Sequence, residues 1–228
     1  EELVLQCSPV RFCHFNPQFL EIFMIACIFS NAVTMVYQFK EFRMKYSQQE
    51  KLQIQMLCDI HRALKIKNSF DPDFIDEAVS TDSYWALRWK YPSLDDGEED
   101  PEEVQLFVDT FDMYEILQYT YNHFSDEDKA DVAESIPHFN GEASLAFPGF
   151  DGNNETNYLT IGGMLKRMGR FSGKEELTKN SHMPSVEIYR RMLEVFLPAR
   201  AKNWIHDVGI TKQDFIDTLN ARVHPENR

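Results

Sequence analysis

Apolar residues recur along most of this chain at three- and four-residue intervals with polar residues between them, a pattern of amphipathic helices rather than strands. From Gln48 to about Lys67 the apolar positions are Leu52, Met56, Leu57, Ile60, Leu64 and Ile66, and Ser47 with Glu50 three positions on makes a capping box ahead of them. Asp71 followed by Pro72 joins an N-cap to a proline at the first helical position. That pair predicts a second helix through Phe74, Ile75, Ala78, Tyr84, Leu87 and Trp89, ended by Pro92. The third helix has the clearest period: Val104, Phe107, Val108, Phe111, Tyr114, Ile116 or Leu117, and Tyr121 form an aromatic stripe, with Asp109, Asp112 and Glu115 around the rest. Such a stripe is expected in the core.

Shorter elements follow. Ser125 caps an acidic helix that stops near Pro137, and a further helix passes through Tyr158, Leu159, Ile161, Met164 and Leu165 with Asn153 or Asn154 as its cap. Another runs from Ser185 to Leu197, with Val186, Tyr189, Met192, Leu193 and Phe196 on one side and Arg190 and Arg191 on the other. The chain is expected to restart as a short helix at Pro198, and Thr211 with Asp214 caps a last one through Phe215, Ile216 and Leu219. The prediction is therefore all-α, a compact bundle of six to seven helices. Between them, Ser93–Glu103 reads as an acidic, solvated loop, and Ala146–Asn157 holds the turn dipeptides Pro148-Gly149 and Asp151-Gly152. The acidic residues of that second segment lack the alternating spacing of a calcium loop, and its default role is to position the helix that follows.

The chain changes character at Met44. Residues 1–43 contain no Asp and no Gly and hold Cys7, Cys13 and Cys27, three of the four cysteines. Within them Phe19–Tyr37 is apolar but interrupted by Glu21, Ser30, Asn31 and Thr34. Three readings stand: translated sequence upstream of the real start, which we favour, a membrane helix, or a natural helix on the body. Residues 44–228 are taken as the functional unit, large enough to bury a core without disulfide or metal. Only Cys58 remains there, which fits a reducing, cytoplasmic setting. The formal net charge of −14 argues against non-specific adhesion to nucleic acid or to anionic membrane, and no membrane role is expected for residues 44–228.

Chemical motifs are sparse. There is no Gly-x-Ser-x-Gly, phosphate loop, zinc-type Cys/His spacing or dinucleotide fingerprint, so neither a cofactor nor a metal is expected. His61, His138, His182 and His224 fall near predicted helix ends or loops and read as surface or capping residues.

The order of three pieces carries a resemblance. Phe111-Asp-Met-Tyr114-Glu-Ile-Leu, then Phe147-Pro-Gly-Phe150-Asp151 with Glu155 and Tyr158-Leu159, then Tyr189-Arg190-Arg191-Met192-Leu193 are similar to the bacterial YfbU family over about residues 44–224. The resemblance places the start of the domain at Met44. The chain departs from the family by a longer insertion around Gly169–Met183 and an altered stretch after Pro198. What it implies is the helical fold; the family has no established biochemical activity to carry over residue by residue.

One constellation suggests catalysis. Arg200 and His206 stand six positions apart, with Arg190 and Arg191 upstream and Lys202 between, and an Arg spaced so from a His resembles the active motif of HEPN-type ribonucleases, metal-independent all-helical dimers. Arg would hold a phosphate by paired hydrogen bonds while His moves the 2′-hydroxyl proton. The blander assignment makes Arg200 and Lys202 helix-terminus decoration, with His206 and Asp207 as its cap. Two function classes follow. The first is a regulatory or protein-interaction protein, a homo-oligomer or a partner-binding module with an exposed aromatic or Met-rich face around Trp85, Trp89, Tyr119 and Tyr121. The alternative is an RNA-binding protein or ribonuclease with Arg200 and His206 as catalytic residues and Arg190, Arg191 and Lys202 as binding residues. Phe150 and Asp151, in the Gly-Phe-Asp segment, are further binding candidates. The interaction reading is preferred.

Overall fold

The Ser47 capping box closes as its sequence predicts: the Ser47 hydroxyl accepts from the Glu50 N–H at 3.3 Å, and the Glu50 carboxylate accepts from the Ser47 N–H at 2.7 Å. The computed structural model describes residues 46–95, 97–203, 209–224 and Glu226. Among them are eight α-helices, slightly more than predicted: α1 (Gln48–Leu64), α2 (Pro72–Ser80), α3 (Tyr84–Lys90), α4 (Glu102–Asn122), α5 (Asp126–Ser135), α6 (Thr156–Arg167), α7 (Val186–Asn203) and α8 (Lys212–Asn220). The class is all-α; the β-structure among the described residues is a single isolated bridge, Phe150 to Asn180.

Several predicted boundaries move, each for a local reason. α1 ends at Leu64 rather than Lys67, because Lys65 turns left-handed at φ 52° and its N–H goes back to the carbonyls of His61 and Arg62. The expected second helix is two, broken where Asp82 takes φ 57°; the Ser83 N–H closes the break on the Ala78 carbonyl at 2.7 Å. Neither Asn153 nor Asn154 caps α6, whose N-cap is Glu155, and the Asn154 amide instead donates to Asp151. α7 continues through Pro198 to Asn203 without the expected restart. By contrast, the Thr211 hydroxyl accepts from the Asp214 N–H at 3.1 Å and starts α8 as predicted.

α4 is the central helix. Phe107, Phe111, Met113, Tyr114 and Leu117 are all buried, so the aromatic stripe is core. Against it lies a nest of rings from the loop before α6: Phe150 stacks on Tyr158 at 4.4 Å between centroids and on Phe107 at 5.2 Å, while Phe147 meets Phe111 edge-on at 5.2 Å. α7 adds Tyr189, Met192 and Phe196, and α8 adds Phe215 and Leu219. α8 is further tied to α5 by Lys212, which reaches Asp128 at 2.7 Å and Asp131 at 2.6 Å.

α6 approaches its neighbours through glycine. A Cβ on Gly162 would overlap the Leu177 carbonyl oxygen and touch the Phe107 ring, whereas the adjacent Gly163 faces open space. α1 is attached differently. It lies on α2 through a mostly polar seam.

Candidate functional site

The loop before α6 was expected to position a helix, and its bonds show how. Phe150 N–H donates to the Lys179 carbonyl at 3.2 Å and Ser181 N–H to the Phe150 carbonyl at 3.0 Å, so residues 179–181 run alongside it. They belong to the Gly169–Met183 stretch that the sequence marked as an insertion. Gly149 sits at φ 92° with the Lys179 carbonyl where a Cβ would be, and its own carbonyl accepts from the Tyr189 hydroxyl at 2.6 Å. Glu155 closes the arrangement. Its buried carboxylate accepts from the N–H groups of Asp151 (2.9 Å), Ser185 (2.8 Å) and Val186 (2.9 Å) and from the Ser185 hydroxyl (2.8 Å). A carboxylate thus stands at the first turn of α7, where backbone N–H groups have no helical partner. Burial pushes the Glu155 carboxyl up, but those donors outweigh it and hold it below the usual glutamate range.

Phe150 and Asp151, the two binding candidates from this loop, are both buried. Phe150 is in the ring nest, and the Asp151 carboxylate accepts from the Asn153 N–H at 3.0 Å and from the Asn154 amide. These hydrogen bonds to backbone and side chain lower the Asp151 carboxyl from its ordinary value against the desolvation that raises it.

The cationic candidates Arg190, Arg191 and Arg200 each bond acceptors of this chain. Arg190 pairs with Glu102 at 2.7 Å across a groove of about 300 Å³ between α4 and α7. Arg191 donates to the Glu187 and Arg222 carbonyls at 3.0 and 3.1 Å. Arg200 pairs with buried Asp109 at 3.0 Å and lies 3.7 Å from Asp112. Burial raises the Asp112 carboxyl, with Asp109 and Glu115 adding to the rise and Arg200 opposing it. Lys202 is exposed, and His206 lies outside the described residues. No group of three or more His, Cys, Asp or Glu among the described residues is placed to hold a metal ion.

The face around Trp85, Trp89, Tyr119 and Tyr121 is not the exposed surface expected of it. Trp85 is buried and stacks edge-on with half-buried Trp89 at 5.2 Å, and the Trp89 indole N–H donates to Asp100 at 2.8 Å. Tyr121 is half-buried against Phe215; among the four, Tyr119 is exposed. The large indole rings of Trp85 and Trp89 on α3 gain most from burial, with the one polar N–H of Trp89 satisfied by Asp100.

A run of exposed apolar residues lies instead on α1. Leu52, Met56, Leu57, Ile60 and Leu64 are exposed by 57, 57, 63, 52 and 67 %. At 100° per residue they lie within one stripe roughly 140° wide, interrupted only by Ala63 and the uncharged Gln49 and Gln53. Together they present roughly 500 Å² of apolar surface, as large as the largest patch on an ordinary monomer.

The inner face of α1 is the polar one. Arg62 reaches Asp73 at 2.6 Å and Asp76 at 2.8 Å, Lys51 reaches Asp82 at 2.7 Å, and the Gln55 amide donates to Asp76 at 3.2 Å, around the buried Cys58 thiol. α1 is therefore an amphipathic helix mounted with its apolar side outward. The period of its apolar residues was legible in the sequence, but the direction it points was not. A complementary signal existed in Asp73 and Asp76 on α2, which match Arg62.

The sequence profile of the YfbU domain matches residues 44–221, most of the chain. The chain belongs to the YfbU family. A YfbU-family relative, UPF0304 protein MJECS11 of Methanocaldococcus jannaschii, is similar at 27 % identity over 125 residues, which is 52 % of this chain and 67 % of that protein. The match begins at Met44, close to the Ser47 capping box, so α1 with its outward face lies inside the YfbU domain. No helix among the described residues of this YfbU protein is long and apolar enough to cross a membrane.

Proposed function

We propose that this YfbU-family protein acts by binding other protein surfaces, as a helical regulatory or interaction module, and that α1 is its working surface. The supporting observation is the inverted mounting of α1: an uncharged aliphatic stripe faces outward while ion pairs fill the seam beneath. A soluble domain gains nothing from exposing five large aliphatic residues on one helix unless something covers them. A 17-residue helix is also only marginally stable alone, and the polar seam adds little, because exposed ion pairs are weak. Against the RNA alternative, Arg190, Arg191 and Arg200 are all engaged by acceptors of the same chain.

A photo-activated cross-linking residue at position 57, in cells, tests this reading. It is expected to form one discrete covalent adduct, while the same residue at exposed Glu142 forms none. Background labelling alike at both positions would remove α1 as a working surface.

A further inference from the structure

The α1 face identifies its own occupant by size, charge and symmetry. Its stripe is centred near Cys58: Leu52 and Leu64 lie six residues to either side, and Met56 and Ile60 two residues to either side. Two copies of α1 laid antiparallel across a two-fold axis at that point bring Leu52 opposite Leu64 of the second copy, and Met56 opposite its Ile60, twice over. A closed dimer of this kind needs a self-complementary patch, and four of the five stripe residues supply one, while Leu57 falls opposite Asp59 at the edge.

Charge favours the same arrangement. Glu50 lies in the first turn of α1, and Lys65 and Lys67 lie just beyond its last; both lysines are exposed and have no ion-pair partner among the described residues. Antiparallel pairing sets each Glu50 near the lysines of the other copy and opposes the two helix dipoles, whereas parallel pairing stacks like on like. The chain carries a net charge of −14, yet between Gln48 and Lys67 there are four Lys and Arg against two Asp and Glu, so two acidic bodies meeting on α1 do not bring acidic segments together. The aliphatic stripe of roughly 500 Å², with the glutamines and lysines at its edge, approaches the roughly 800 Å² per partner of a standard specific interface.

We infer that α1 is a homodimerisation helix, pairing antiparallel with α1 of a second copy of this chain through Leu52, Met56, Leu57, Ile60 and Leu64. This rests on α1 being the interaction surface, and it names the partner.

Sedimentation equilibrium of the purified full chain at on the order of 10 µM tests it. The full chain is expected to be a dimer. Ile60→Glu and Met56→Lys, each at an exposed position, are expected to weaken the dimer at least about 100-fold while leaving the circular dichroism spectrum intact. Mixing these two variants is expected to restore a mixed dimer, since antiparallel pairing sets the new lysine against the new glutamate and parallel pairing does not. A monomeric full chain overturns the inference, and so does a mixture that stays monomeric. If the purified chain is monomeric and the position-57 adduct in cells is a different protein, the second copy is refuted and the interaction reading stands.

Discussion

Glu155 joins two segments of the fold through one carboxylate. Its carboxylate collects three backbone N–H groups and a hydroxyl, joining the Gly-Phe-Asp loop to the start of α7. A glutamine there keeps the shape but offers one carbonyl to donors that occupied two carboxylate oxygens, and turns an amide N–H₂ toward other donors. Glu155→Gln is expected to cost about 2 kcal/mol at neutral pH. Because the folded carboxyl is held below its unfolded value, its contribution is complete above the ordinary glutamate range and is lost as pH falls through the folded value. Chemical denaturation of both proteins at pH 7 and below pH of about 4 checks this: the gap should narrow on acidification. A gap constant with pH would mean that the charge of Glu155 is irrelevant.

Elements differ in how they tolerate change, and α6 shows it within two consecutive residues. Gly162 lies where the Leu177 carbonyl and the Phe107 ring leave no room for a methyl group, so Gly162→Ala is expected to destabilise by about 1–3 kcal/mol. Gly163 has nothing within 4 Å of a Cβ, so Gly163→Ala gains helix propensity and is expected to stabilise by about 0.5–1 kcal/mol. Thermal melts of the two single variants should move in opposite directions; two shifts of the same sign would contradict this packing of α6. In the sequence the two glycines are indistinguishable. Their difference comes from residues some fifteen and fifty-five positions away, which is why it was not readable there.

At the scale of the whole molecule, an α1-linked dimer couples stability to protein concentration. Binding that favours the folded state raises the melting temperature as the partner's concentration rises. The full chain is expected to melt higher with each tenfold increase in concentration, and Ile60→Glu to melt at one temperature throughout, as differential scanning calorimetry would show. A full chain indifferent to concentration would argue that α1 pairing contributes nothing to stability.

What the sequence determined by itself is local. The Ser47–Glu50 box, the Asp71-Pro72 start, the Thr211–Asp214 cap and the aromatic core stripe of α4 all depend on residues within a few positions of one another, and each forms as read. The order of motifs likewise sufficed for the family. Tertiary structure decided which side faces in where the sequence pattern left it open. It drew Trp85 inward, made the Gly-Phe-Asp segment a clasp around the N–H groups of α7, tied Arg200 to Asp109, and left the aliphatic side of α1 outside. A helical period records that a helix has two faces; where the remainder of the chain lies settles which of them meets the core, and the carboxylates of α2 lie against the polar face of α1.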